Sequence, residues 1–207
     1  MRTLVIDTAT KACSVALYDG DAVIDSYHEV IGRGHAERLL PLIAMLPKRG
    51  KADRIIVDVG PGSFTGIRIG VAAARALGLA WNVEVSGYGC LTLVAAMAQL
   101  AVGKESSVDV IMAGGHGEYF FQSFPSLASP LTEPVSVTPQ ILAVLSQAPV
   151  VAGDSAANPA VINRKHKFID ILPDAAFWHL IASSPALLPS PLYGRAPDAK
   201  LPLAKLA

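Results

Sequence analysis

GPGSFTGIRIG, residues 60–70, lies between the apolar run Arg54-Ile-Ile-Val-Asp-Val59 and the run Val71-Ala-Ala-Ala-Arg-Ala-Leu77. The order is a strand, a glycine turn and the start of a helix. Many proteins hold a phosphate this way, on the free N–H groups of a helix N-terminus. The stretch nevertheless fails both common phosphate signatures. A P-loop places lysine and then Ser or Thr after its closing glycine, whereas Gly66 is followed by Ile67 and Arg68. A dinucleotide fingerprint needs glycine at the first, third and sixth places; Gly60 and Gly62 fit, and Thr65 does not. Spacing alone favours a tight turn at Gly60-Pro61-Gly62 with Ser63 or Thr65 capping the helix. Phosphate binding is the weaker alternative.

The helix that follows carries Gly66, Gly70, Ala74 and Gly78 at four-residue spacing, one ridge of small residues. Glycine inside a helix costs about 1 kcal/mol against alanine. A close approach by the sheet or by another helix is the expected compensation. Arg68 and Arg75 share one side of that helix. The preceding helix, predicted over His35 to about Leu46, has Leu39, Leu40, Leu42, Ile43, Met45 and Leu46 around most of its circumference. One apolar stripe is enough to cover a sheet, so a second apolar face should meet a neighbouring helix or a second chain. Pro41 implies a bend or a late start.

Outward from this centre the chain reads as two similar halves. Strands are predicted at Thr3–Asp7, Cys13–Tyr18 and Ala22–Tyr27, then after the glycine-loop unit at Val83–Val85, with a helix from Gly89 to about Ala101. Strands recur at 107–112, 118–124, 134–137, 150–152 and 168–172, with helices from Thr138 through Leu145, over 156–161, and from Asp174 through Ile181. The boundary is expected near VGKESS, 102–107, giving units 1–103 and 104–207. The Pro-rich tail from Ser183 should lie extended on the surface.

The composition excludes several classes. Lys+Arg and Asp+Glu are both 17 in 207 residues, so there is no basic excess of the kind a nucleic-acid-gripping domain usually carries, although a local patch can hide in a zero sum. Cys13 and Cys90 are far apart with no CxxC, which reads as two buried, reduced thiols in a cytosolic protein. The short apolar run Leu4-Val-Ile6 is too short for a signal-peptide core. The longer runs 71–81 and 91–102 fall short of a membrane span, so a cytoplasmic protein is expected.

Four stretches together resemble a known family: LVIDTAT (4–10), GHAERLLPLI (34–43), VDVGPGSFTGIRIG (57–70) and YGRAPDAK (193–200). They are similar to bacterial TsaB (YeaZ), a subunit of the machinery that makes N6-threonylcarbamoyladenosine on tRNA. The resemblance is dense in the first half and returns in the tail. It implies an α/β chain with the actin-like ATPase (ASKHA) fold, two tandem ribonuclease-H-like subdomains. It also implies a non-catalytic, glycoprotease-like dimerisation subunit, whose partners are a TsaD-like catalytic subunit and a TsaE-like ATPase. tRNA would be met only through that complex, and whether the isolated chain forms a homodimer stays open.

The resemblance further places the partner interface on the first two helices: Leu39, Leu42, Ile43, Arg68, Val71 and Arg75. Asp7, Gly60, Gly62 and Ser63 would be a vestigial phosphate loop. TsaD-type subunits hold a metal with His-x-x-x-His on the first helix, but here His35 is followed four residues on by Leu39. No metal site, catalytic residue or cofactor is therefore expected, and His35 reads as a capping or surface residue. Relatives carry a charged Asp-Ala-Arg where this chain has Ala113-Gly114-Gly115-His116 before Glu118. Two other readings compete. A metal-dependent transferase or peptidase of the same fold lacks ligands. A small actin-fold kinase rests on Asp7, the glycine loop and a thin second loop, Gly153-Asp154-Ser155.

Overall fold

The computed structural model describes residues 1–126, 129–155 and 167–194. The helix expected over 156–161 and most of the 193–200 motif lie outside those residues. The chain opens with β1 (Arg2–Asp7), β2 (Ala12–Asp19), β3 (Ala22–Val30) and α1 (His35–Met45). It continues with β4 (Arg54–Asp58), α2 (Phe64–Trp81), β5 (Glu84–Tyr88) and α3 (Cys90–Val102). The second set is β6 (Val108–Gly115), β7 (Glu118–Phe124), β8 (Val135–Val137), α4 (Pro139–Leu145), β9 (Val150–Ala152) and β10 (Lys167–Ile169). A 3₁₀ helix, Ala175–Ile181, follows.

The two sheets have the same topology. The first runs β3-β2-β1-β4-β5, and the second, read in the same sense, β8-β7-β6-β9-β10. In each, the first three strands are antiparallel and the last two join in parallel. This is the ribonuclease-H-like order twice over, the actin-like ATPase fold. The central parallel strand β4 is buried on both faces and therefore reads as a continuous apolar run, Ile55, Ile56 and Val57.

α1 and α2 cover one face of the first sheet, through Leu39, Leu42, Ile43, Ile67 and Val71 against Leu4, Ile6, Val15 and Val57. The opposite face takes Leu93 and Ala96 of α3 and the 3₁₀ helix, whose Trp178 packs edge-on to Tyr18. α3 turns Leu91, Val94, Ala95 and Ala98 to the second sheet. It is apolar all round because it is packed on both sides.

Several boundaries differ from the sequence reading. β5 runs five residues to Tyr88. Gly87 and Leu187 form a bridge that stitches the tail to the edge of the first sheet. The last helix is 3₁₀, although Asp174 caps it as expected by accepting from the Ala176 N–H at 2.9 Å. Thr138 stands at the start of α4 without a side-chain cap bond. α1 runs through Pro41 without a break. Ala113 to Gly115 end β6 and His116-Gly117 form the turn into β7, with positive φ at Gly115, His116 and Gly117. Both cysteines are free and buried, and burial pushes the Cys13 thiol up to about 11.

Candidate functional site

The sequence-predicted phosphate loop lies at the carboxyl ends of β1 and β4, where an open α/β sheet places its ligand crevice. The chain fills this place with its own atoms. Ser63 caps α2 by accepting from the Gly66 N–H, and its own N–H donates to the Ala9 carbonyl at 2.6 Å. The Gly60 N–H donates to Asp58 Oδ1 at 2.6 Å. The tail closes over the turn from outside. The Leu192 N–H donates to the Val59 carbonyl at 2.7 Å, and a side chain at Gly60 would stand 2.7 Å from the Leu192 carbonyl oxygen. The expectation of a tight turn with a serine cap is met.

The small-residue ridge has the same explanation. A methyl group on Gly66 would overlap the Thr8 carbonyl, one on Gly70 the Thr8 hydroxyl, and one on Gly78 the Val85 side chain. The compensation for glycine in this helix is thus its close seat on β1 and β5. Thr8 Oγ1 completes the seat by donating to the Gly66 carbonyl at 2.7 Å.

Asp7 is sealed. It accepts from the Ala9 N–H at 3.2 Å and the Tyr88 hydroxyl at 2.7 Å, and its side chain has no exposure. Pairing of Ile6 with Val57 sets Asp7 level with Asp58, and Asp58 pairs with Tyr88. Two carboxyls, a phenol and the Cys90 thiol therefore meet at one end of three parallel strands. Burial raises both carboxyls, Asp58 well above the ordinary range, with the Asp7 charge adding to it. Among the described residues Asp58 Oδ2 finds no hydrogen-bond partner, and a proton on Asp58 spares the site a second buried charge beside the Asp7 carboxylate. The pair is best written as two carboxyls holding one proton. Sequence reasoning misses Asp58 and Tyr88 as site residues, although an acid inside the apolar run 54–59 is a visible signal for the first.

Four of the six expected interface residues face inward. Leu39, Leu42, Ile43 and Val71 are 3% exposed or less and belong to the core of the first half. α1 does carry two apolar faces, but its three inward residues form the one turned to the sheet. The outer face of α1 shows Leu40, at 53% exposure, and Met45. On α2, Arg68, Ala72, Arg75, Ala76 and Leu79 form one exposed stripe, with Leu79 at 86%. Arg68 stacks on Phe64 at 3.7 Å and donates to the Tyr193 hydroxyl at 2.7 Å. His35 is neither a cap nor a surface residue: Gly34 holds the cap position, and buried His35 bonds through Nε2 to the Ala12 carbonyl at 3.1 Å. Among the described residues no three His, Cys, Asp or Glu side chains converge as metal ligands. No helix among them is long and apolar enough to cross a membrane.

A family model described as TsaD, tRNA N6-adenosine threonylcarbamoyltransferase, matches residues 23–139, more than half of the chain. The chain belongs to the TsaD family. Within it the similarity runs to TsaB proteins. The chain is 41% identical over 118 residues to the tRNA threonylcarbamoyladenosine biosynthesis protein TsaB of Escherichia coli K12, covering 55% of this chain and 49% of that one. It is 37% identical over 116 residues to TsaB of Haemophilus influenzae, covering 53% and 47%. The chain thus spans about half the length of the curated relatives it matches. YeaZ from Pseudomonas aeruginosa superposes with a TM-score of 0.79 at 26% identity, over 93% of this chain and 99% of that one.

Proposed function

We propose that the chain serves tRNA N6-threonylcarbamoyladenosine synthesis as a non-catalytic partner subunit. It would bind a TsaD-like catalytic subunit, with a TsaE-like ATPase joining the complex in the cytoplasm. The observation that carries this reading is position 39. Where a TsaD-type first helix would present its second imidazole, Leu39 is packed in the core, and a single buried histidine bonded to a backbone carbonyl does not hold a metal. The sealed state of Asp7 supports the same reading against a kinase, since an acid that serves a nucleotide must face the crevice.

The partner would dock on the outer faces of α1 and α2, where Arg68 and Arg75 of the six expected residues lie, and not on the buried Leu39, Leu42, Ile43 and Val71. Leu40, Met45, Ala72, Ala76 and Leu79 offer an apolar centre, and Arg75 and Arg68 a charged border. Such a composition suits a helix-on-helix interface. The test is ATP turnover and adenosine modification, measured with the purified chain alone and then with the TsaD-like subunit of the same host. The chain alone should be inactive, and the mixture active. Turnover by the chain alone that disappears in Asp7→Ala would replace this reading with a kinase.

A further inference from the structure

The turn after α1 has a conformation that its residues do not favour. Lys48 (φ 55°, ψ 30°), Arg49 (φ 54°, ψ 40°) and Gly50 (φ 69°) are left-handed in succession. Non-glycine residues visit this region singly, because Cβ crowds the following carbonyl. Gly50 has a packing reason, since a side chain there would lie 2.7 Å from Ile43 Cγ2. Lys48 and Arg49 are exposed and bury nothing in return. Strain of this kind without compensating burial points to a surface whose presentation matters.

What the turn presents is charge. Lys48, Arg49 and Lys51 stand within four residues, and Arg2, Lys48 and Lys51 line one open depression of about 440 Å³ with Asp19 and Asp53. Both acids are engaged: Asp19 pairs with the terminal ammonium at 3.1 Å, and Asp53 accepts from the Arg2 N–H at 2.7 Å. Among the described residues none of Lys48, Arg49 and Lys51 enters an ion pair. In a chain with no net charge, this corner is a local basic patch. The apolar lining is limited to Met1 and Ala52. A protein partner would require a desolvated anchor, whereas a phosphate backbone requires only spaced cations.

We propose that the Lys48–Lys51 turn, with Arg2, contacts the sugar-phosphate backbone of structured RNA. Resting on the function proposed above, that RNA is the tRNA being modified, and the turn positions it without reading its sequence. The test is anisotropy of labelled tRNA transcript across about 50–200 mM salt, with the TsaD-like complex and with the chain alone at the low-salt end. The variant is Lys48→Asn/Arg49→Asn/Lys51→Gln, because asparagine tolerates the left-handed region and the fold should hold. The expected result is an affinity about ten- to a hundred-fold lower near 100 mM salt, and a log–log salt slope shallower by about two to three, with unchanged circular dichroism. Unchanged affinity and slope would overturn the proposal, as would a loss that is equal at every salt concentration. If the wild-type chain forms no complex with the TsaD-like subunit, the proposed function falls, and the low-salt binding of the chain alone still decides the role of the turn.

Discussion

Replacing Asp58 with asparagine should make folding stability less dependent on pH, and the same change at Asp7 should not be tolerated. In Asp58→Asn the new side-chain carbonyl can keep the bond from the Gly60 N–H, and a neutral amide stands in for the neutral, protonated carboxyl. Asp7 has no such freedom. Both of its oxygens accept, from Ala9 and from Tyr88, so an amide there deprives either the Ala9 N–H or the buried Tyr88 hydroxyl of its acceptor. The cost of a buried group left unsatisfied is about 1–3 kcal/mol. The pH dependence follows from burial, which raises Asp58 above the ordinary value of 3.8. The folded chain keeps a proton that the unfolded chain has released, so the favourable contribution is complete below that value and is lost as pH rises toward the folded-state value. Across that window stability falls by about 1.4 kcal/mol per pH unit for the one proton concerned. Asp58→Asn removes this slope and should gain on the wild type as pH rises above the ordinary carboxyl range. Urea denaturation followed by circular dichroism at several pH values measures it. Parallel curves for wild type and Asp58→Asn, or an Asp7→Asn variant as stable as Asp58→Asn, would refute the one-proton pair.

Three other outcomes follow from the packing. Leu42→Ala should cost about 2–5 kcal/mol by chemical denaturation, because the side chain is fully buried against the first sheet; Leu79→Glu should cost almost nothing, its side chain being 86% exposed. Gly66→Ala should destabilise more than the usual small change for glycine in a helix, since its methyl meets the Thr8 backbone and not a flexible side chain; a melting temperature equal to or above wild type would contradict that seat. Tyr193→Phe removes the acceptor for Arg68 and should leave global stability within about 1 kcal/mol, while limited proteolysis of the tail quickens.

The fold is legible because its signals are local and redundant. The apolar runs at 2–7, 54–58 and 108–112 are strands whichever way the propensities are weighed, and the turn chemistry at Gly60 to Ser63 specifies the start of α2. The orientation of α1 is not legible. Leu39, Leu40, Leu42 and Ile43 are equally apolar, and only the sheet decides which of them face inward. The carboxyl pair is half visible. Asp7 ends a strand and stands out for that reason, but its meeting with Asp58 and Tyr88 depends on register across three strands distant in sequence. The left-handed turn at Lys48 and Arg49 has no sequence signal except the glycine that follows it.

The central claim is that this chain supports a catalytic partner through the outer faces of its first two helices. The direct measurement is size-exclusion chromatography with light scattering of the chain mixed with the TsaD-like subunit of its own host, beside the variant Leu40→Glu/Leu79→Glu. The account predicts a stable complex with the wild-type chain, and a variant that keeps its circular dichroism and its melting temperature but elutes alone. A folded variant that binds at full strength would contradict it.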